Sequence, residues 1–294
     1  MEKKVVLEEI AMAKDHLEHL AFDFLQEKVF AGHPLAWPIL GYEQTIDPLT
    51  RDQMETYFQR RYCPSNMLLA VAGCVDPQEI IACAEACCGS WPVTGDHSER
   101  IPPQLQGGVD FLRADRFKQQ VVALTFPSVS ARDERAETAS ATAAILGGDN
   151  SRFFWGIVQH GIAPRAGAFH LDYTDCGAMI LYGVCDPENV ERLVEAMRSE
   201  AARMSRQRVE AHEVQRVKNK RRTSLAIESE APYHRLTQLM DDMEYRGAPR
   251  TVEQMLAEVD AVSADTVYEY LQACPINGDG HLASVGPRPW PDGR

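Results

Sequence analysis

No apolar run in this chain approaches the roughly 20 residues that a membrane-spanning helix needs, so no membrane partner is expected. Basic charge is also short. Thirty Lys and Arg stand against 43 Asp and Glu, a formal net charge of -13, and a surface of that sign repels a phosphate backbone, which argues against nucleic acid as a partner. The eight cysteines include no Cys-x-x-Cys pair, and most sit in apolar surroundings such as Ile-Ile-Ala-Cys83-Ala-Glu-Ala-Cys87-Cys88. Reduced, buried thiols are expected rather than a zinc knuckle or disulfides. Ser151 has no Gly-x-Ser-x-Gly elbow around it, and Gly147-Gly148 is not followed by the Lys-Ser/Thr of a phosphate loop. Serine-hydrolase and phosphate-binding chemistry therefore have no support. The start, Met-Glu-Lys-Lys, leads into an amphipathic segment rather than a signal peptide, so the expected location is the cytoplasm, a truncated start being able to hide a targeting segment.

What is present is an ordinary globular composition, 294 residues with 45% hydrophobic and 25% charged, long enough for two domains. Residues 2–30 read as helical with a break near Lys14 to His16, and Val5, Val6 and Ile10 should turn inward. Gly32 to Gly41 is a Pro-bearing loop, and Thr45 to Tyr62 reads as one helix with Met54, Tyr57, Phe58 and Tyr62 at helical spacing. Met67 to Ala72 should be a short buried strand ended by Gly73, and Asp76-Pro77 should open a helix to about Cys88. Trp91 to Gly108, rich in Pro, Gly and polar residues, is the best linker. Beyond it strands are expected over 109–113, 120–126 and 281–285, with an antiparallel pair inside 161–186. Helices are expected over 134–146, 152–160, 187–206, 210–229, 233–245 and 263–271.

The chain also carries a weak internal repeat. Leu49-Thr-Arg-Asp, then Tyr57-Phe-Gln-Arg-Arg-Tyr62, then Met67-Leu-Leu-Ala-Val-Ala-Gly73 follow one order: capped helix, short gap, strand, glycine. Val262-Ser-Ala-Asp, then Tyr268-Glu-Tyr-Leu, then His281-Leu-Ala-Ser-Val-Gly286 repeat it. If the two are copies, the second has ~150 residues of its domain ahead of the repeat and the first fewer than ~50, so roughly 100 residues of the first domain are expected to be missing.

The candidate site lies in the first ten residues. Glu2 and Glu9 are seven apart, about two helical turns, and so project from nearly the same face of a helix. Such a pair is a plausible part of a metal shell, and equally plain solvated charge near a helix start. Nearby, His16-Leu-Glu-His19 looks like half a zinc motif, but its histidines stand at i and i+3 where paired helical zinc ligands stand at i and i+4.

Three stretches carry a resemblance: Glu2-Lys-Lys-Val-Val-Leu-Glu-Glu9-Ile10, Gly32-His-Pro-Leu-Ala-Trp-Pro-Ile-Leu-Gly41 and Leu49-Thr-Arg-Asp-Gln-Met-Glu-Thr-Tyr-Phe58. Together they resemble the pitrilysin/insulinase family of zinc metallopeptidases, and Ile145-Leu-Gly-Gly-Asp-Asn-Ser-Arg-Phe-Phe-Trp155 and Cys185-Asp-Pro-Glu188 extend the likeness. The resemblance implies an α+β fold of two homologous sandwich-like domains, each an antiparallel-type sheet with helices on one side, closing as a clamshell around a chamber. It implies that Glu9 is the third zinc ligand and that Glu2 supports the site. It also implies that the other ligands and the general base come from an upstream His-x-x-Glu-His, which this sequence does not contain. Residues 1–97 would be the C-terminal part of the first, zinc-bearing domain, 98–108 the linker and 109–294 the second domain.

A hydrolytic zinc needs three protein ligands and a carboxylate base, so Glu9 with Glu2 cannot do the chemistry alone. The expectation is part of a zinc-dependent endopeptidase acting on peptides, inactive as this chain alone and completed by the missing segment or a partner subunit. The alternatives are a non-catalytic subunit or scaffold of the same family, and a fragment without activity. Homo- or heterodimerisation is expected over residues 1–60, because half a domain leaves sheet edge and apolar helix faces uncovered. One departure from the family matters. Many relatives carry an Arg and a Tyr seven residues apart that bind the substrate backbone, and here Ile157 and Pro164 fall at those places. His160 and Arg165 lie nearby and read as a turn residue and a helix-end cation. The basic run Arg216, Lys218, Lys220, Arg221 and Arg222 reads as a solvated or inter-helix face.

Overall fold

Gln120-Val-Val-Ala-Leu-Thr-Phe126 is apolar on both faces, a pattern that suits only a strand covered on both sides, and the sheet is built around it. In the computed structural model, which describes residues 2–92 and 100–290, this strand is β2 (Gln120–Ser128), buried from Gln120 through Phe126. With β1 (Gly108–Arg113), β3 (Arg165–Asp172), β4 (Gly177–Cys185) and β5 (His281–Gly286) it forms a five-stranded sheet in the order β1-β5-β2-β4-β3. All pairings are antiparallel except β1 with β5, which is parallel, so the sheet is mixed where an antiparallel type was expected.

The period of two sorts the side chains. Val122, Leu124, Met179, Leu181 and Leu282 face one helical layer, made of α6 (Ala136–Gly147), α7 (Val190–Arg206) and α11 (Ala264–Ala273). The expected helix over 152–160 belongs to that layer too, wound as a π-turn at Phe154–Val158 with Phe153 and Ile157 fully buried. Gly147 lets α6 end against β3: a Cβ there would lie 1.9 Å from the Ala168 amide nitrogen. Val121, Ala123, Ile180, Val184, Ala283 and Val285 face the other way, against Ala21, Leu25 and Val29 of α2 (Leu17–Val29). A helix from the first half of the chain thus closes the second face of the sheet.

Outside the first layer lie α8 (Ala211–Glu230), α9 (Pro232–Arg246) and α10 (Val252–Ala261). α10 is a helix beyond those expected, and Thr251 and Gln254 form a capping box at its start. Arg250 ties the α9–α10 junction, reaching Asp242 at 2.7 Å and Glu258 at 2.5 Å.

The first 92 residues contain helices and no strand among those described. α1 (Glu2–Lys14) breaks at Asp15–His16 before α2, as expected. Ile10 is buried, but Val5 is exposed, so only part of the expected inward face is covered. The single helix expected over 45–62 is two, α3 (Glu43–Ile46) and α4 (Arg51–Arg61), because Pro48 interrupts the first and Thr50 caps the second by accepting from Gln53 N. α5 (Pro77–Cys88) is capped by Asp76. Met67 to Ala72 is neither strand nor buried: it is extended coil with Leu69 66% exposed, since a strand forms only where a neighbour completes its hydrogen bonds. Residues 100–107 have no regular structure, and 93–99 of the expected linker stretch lie outside the described residues.

Candidate functional site

α1 carries both candidate carboxylates on its solvent side. Glu2 and Glu9 are exposed, while Ile10 holds the helix to its neighbours. Two cations pin the same helix to the next segment: Lys3 Nζ donates to the Asp47 carbonyl at 2.6 Å, and Lys14 pairs with Glu43 at 2.6 Å. Glu9 and Glu2 are thereby held on a fixed helix with free carboxylates.

A zinc ion does not fit this donor set. No group of three or more His, Cys, Asp or Glu able to hold a metal occurs among the described residues. Glu9 therefore stands as one ligand at most, and no step is derived through a metal. His16 and His19 do not change that. Their rings meet edge to face at 5.7 Å, His16 sitting just ahead of α2. Glu18 between them turns to pair with Arg165.

The places where the resemblance led to the expectation of a substrate-binding Arg and Tyr are filled differently. Ile157 is fully buried in the larger core, and Pro164 is exposed just before β3. Arg165 is not the helix-end cation expected, for it opens β3 and is neutralised by Glu18 of α2. His160 is an exposed turn residue. None of the four is placed as the family pattern would need.

The basic run is an inter-helix face. Lys218 Nζ donates to the Asp260 and Val262 carbonyls at 2.6 and 3.0 Å, Lys220 pairs with Asp149 at 2.5 Å, and Arg222 with Asp260. Arg216 donates to the Asn150 carbonyl, and Arg221 reaches Glu137 at 3.5 Å. Beside it, Arg152 and Glu213 form a nearly buried pair with two contacts of 2.7 Å. Burial alone would push the Glu213 carboxyl up, but the Arg152 guanidinium and the Glu210 amide hold it below its ordinary value.

The cysteines divide. Cys63, Cys176 and Cys185 are buried as expected, and burial pushes the Cys176 and Cys185 thiols up to about 12, which keeps them protonated and inert. Cys74, ahead of α5, is exposed instead, as are Cys83 and Cys87, since no layer packs over α5 among the described residues.

An apolar layer expected to be covered is open to solvent. Met54, Tyr57, Phe58 and Tyr62 of the α4 region, Met67, Leu68, Leu69 and Val71, and Ile81 of α5 are all exposed. Comparison with the repeat shows what they lack. α4 opens with the Thr50/Gln53 capping box and closes with Tyr62 N donating to Phe58 O at 2.8 Å. α11 opens with the Ser263/Thr266 box and closes with Cys274 N donating to Tyr270 O at 2.7 Å. The segment after α11 is β5, paired on both sides by β1 and β2 and buried at all six positions. The matching segment after α4, Met67 to Ala72, has no strand on either side among the described residues.

Comparison with known proteins places this architecture. A family model described as the peptidase M16 inactive domain matches residues 48–221. A Rickettsia bellii protein named as an uncharacterized zinc protease is 32% identical over 232 residues, which is 78% of this chain and 56% of that protein. Two solved structures superpose on nearly all of the chain. The peptidase M16 inactive domain from Pseudomonas fluorescens gives a TM-score of 0.87 at 17% identity, covering 98% of this chain and 70% of that one. A chain of Complex III2 from Candida albicans gives 0.86 at 18% identity, covering 97% and 70%. At those identities the two structures carry the fold alone.

Proposed function

This chain belongs to the peptidase M16 family, and on that premise we propose that it is the part of a zinc-dependent endopeptidase that follows the segment bearing the remaining zinc ligands. Residues 1–97 are then the end of the first domain and 109–294 the second. Glu9 supplies one zinc ligand and Glu2 steadies it, while the histidine ligands and the general base come from a segment that packs on α4 and Met67 to Ala72. The substrate is a peptide enclosed between the two domains. The observation that carries this reading is the unpaired stretch after α4, whose counterpart after α11 sits at the centre of a sheet. A free carboxylate pair on a helix pinned to the same half fits the reading.

A second reading, a non-catalytic subunit that partners an active one, is favoured by one observation. Ile157 is buried in the core where relatives carry a substrate-binding arginine, so this half offers no cation to a peptide backbone at that place.

The test is reconstitution. Alone, the chain should hold well under one zinc and cleave no peptide. Co-expressed with a polypeptide encoding the first half-domain with its His-x-x-Glu-His, it should form a complex with about one zinc, and Glu9→Gln should release that zinc without dispersing the complex. A complex that keeps its zinc after Glu9→Gln removes Glu9 as a ligand. A zinc-loaded complex without peptidase activity supports the subunit reading.

A further inference from the structure

α5 is apolar along one line. Ile80, Ala84 and Cys88, four residues apart, are its half-covered positions, and that line is the one a packed layer would take. Cys83 and Cys87 lie to one side of it and are exposed. They too stand four apart, so on a helix they are surface neighbours whose Cβ atoms are about 5–6 Å from each other. Their side chains meet. Cys87 shares a hydrogen bond with Cys83, which pushes the Cys87 thiol up from its ordinary value and holds the two as a protonated pair. Cys74, the other exposed cysteine, precedes the helix.

Two adjoining thiols open to solvent are a ligand set, and its size selects the ion. Thiolate sulfur is soft and takes Cu(I) or zinc in preference to hard cations such as magnesium or calcium. Zinc asks for more than two donors, four protein ligands in a structural site and three in a catalytic one. No third His, Cys, Asp or Glu joins the pair in a metal-holding group among the described residues. Two sulfurs alone suit an ion content with two, monovalent copper. Two metal–sulfur bonds of roughly 2.3 Å laid end to end fit between side chains whose Cβ atoms are about 5–6 Å apart, so the helix need not bend to hold it. We propose that Cys83 and Cys87 form a two-coordinate site for Cu(I). Binding breaks two S–H bonds and forms two S–Cu bonds; both protons pass to solvent, copper stays monovalent and neither sulfur is oxidised. The site uses neither Glu2 nor Glu9 and stands whether or not the peptidase reading does. A segment packed on the Ile80, Ala84 and Cys88 line would leave it open.

The probe is Cu(I) itself, titrated without oxygen into the full chain against bicinchoninate, a chelator that colours when it holds the ion. The wild type should withdraw about one equivalent from the chelator. Cys83→Ser and Cys87→Ser should each weaken binding by about 100-fold or more, since one of the two soft ligands is lost. Cys74→Ser, at an exposed cysteine outside the pair, and Cys88→Ser, on the half-covered line, should leave it unchanged. The serine replacements at 83 and 87 lie on the helix surface, and wild-type circular dichroism confirms that each variant is folded. A wild type that withdraws no copper overturns the proposal. So does copper held as tightly by both Cys83→Ser and Cys87→Ser, or an equal loss in Cys74→Ser, which would mean scattered binding to any exposed thiol.

Discussion

At the scale of single residues, the clearest energetic commitment is the Arg152–Glu213 pair. Two charges at 10% side-chain exposure stabilise each other only while both are present. Glu213 also accepts from the Glu210 amide at 2.9 Å, so it caps α8 as well. Glu213→Gln should therefore cost about 3–5 kcal/mol by leaving a buried guanidinium uncompensated, whereas Arg152→Met with Glu213→Leu should recover most of that. Urea denaturation of the three proteins measures it; equal losses in single and double variants would mean the pair is not coupled. The half-buried imidazole of His170 and the buried one of His281 make an acid-sensitive contribution of another kind. His170, against the Val129 carbonyl at 2.9 Å and near Asp172, is held below its ordinary value by burial. Burial likewise lowers His281, which faces the Gln106 carbonyl at 3.1 Å, Asp110 at 3.4 Å and Lys28. A histidine with a depressed folded value binds its proton more readily when unfolded. Its contribution is thus intact above the unfolded value near 6.5 and is lost as the pH falls toward and through the lowered folded value. Thermal melts should show stability dropping as the pH falls below about 6.5, and His170→Gln should flatten part of that slope; an unchanged slope would assign the acid loss elsewhere.

At the scale of elements, the same local sequence has two fates. The helix after Thr50 and the helix after Ser263 are capped and terminated alike, yet β5 is hydrogen-bonded to a strand on both sides and Met67 to Ala72 pairs with none among the described residues. Amide hydrogen exchange should resolve the pair: Leu282 to Val285 should be among the slowest amides, and Leu68 to Val71 should exchange near the unprotected rate. Comparable protection of both stretches would show that the second finds a partner in solution. The contrast also marks what a single sequence discloses. Helix starts are legible where caps are local, as at Asp76 and Ser263, β2 because a strand buried on both faces is apolar throughout, and β3 with β4 from their alternation about a turn. Exposure was not legible, because Met67 to Val71 has the composition of a core strand and only its absent neighbours make it a surface. The parallel β1–β5 pairing joins segments some 170 residues apart, a choice no local pattern records. For the site, Glu2 and Glu9 could be placed on one helix, whereas the burial of Ile157 depended on the π-turn at Phe154–Val158.

At the scale of the whole molecule, the two halves are unequal. The second half and α2 enclose a continuous core, while α4 and α5 hold Tyr57, Phe58, Tyr62 and Ile81 toward solvent beside Met67 to Val71. An apolar surface of that extent lowers its free energy by associating, each large side chain gaining about 1.5–3 kcal/mol when fully covered. Association is expected over residues 37–91, where Trp37, Ile39, Tyr57, Phe58 and Leu69 are exposed, while Ala21, Leu25, Val29 and Phe30 of the earlier segment are already committed to the sheet. At micromolar concentration the isolated chain should therefore appear by light scattering as dimers or larger species. Phe58→Glu with Leu69→Lys should shift it toward monomer without lowering the melting temperature, because neither side chain touches the core. In the reconstituted complex the outcome should reverse: the covering segment buries the same residues, so the charged pair should weaken assembly by about 100-fold or more, two lost side chains' worth of burial. A wild-type chain that stays monomeric, with the double variant assembling normally, would mean that the partner docks elsewhere and that the exposed helices serve some other contact.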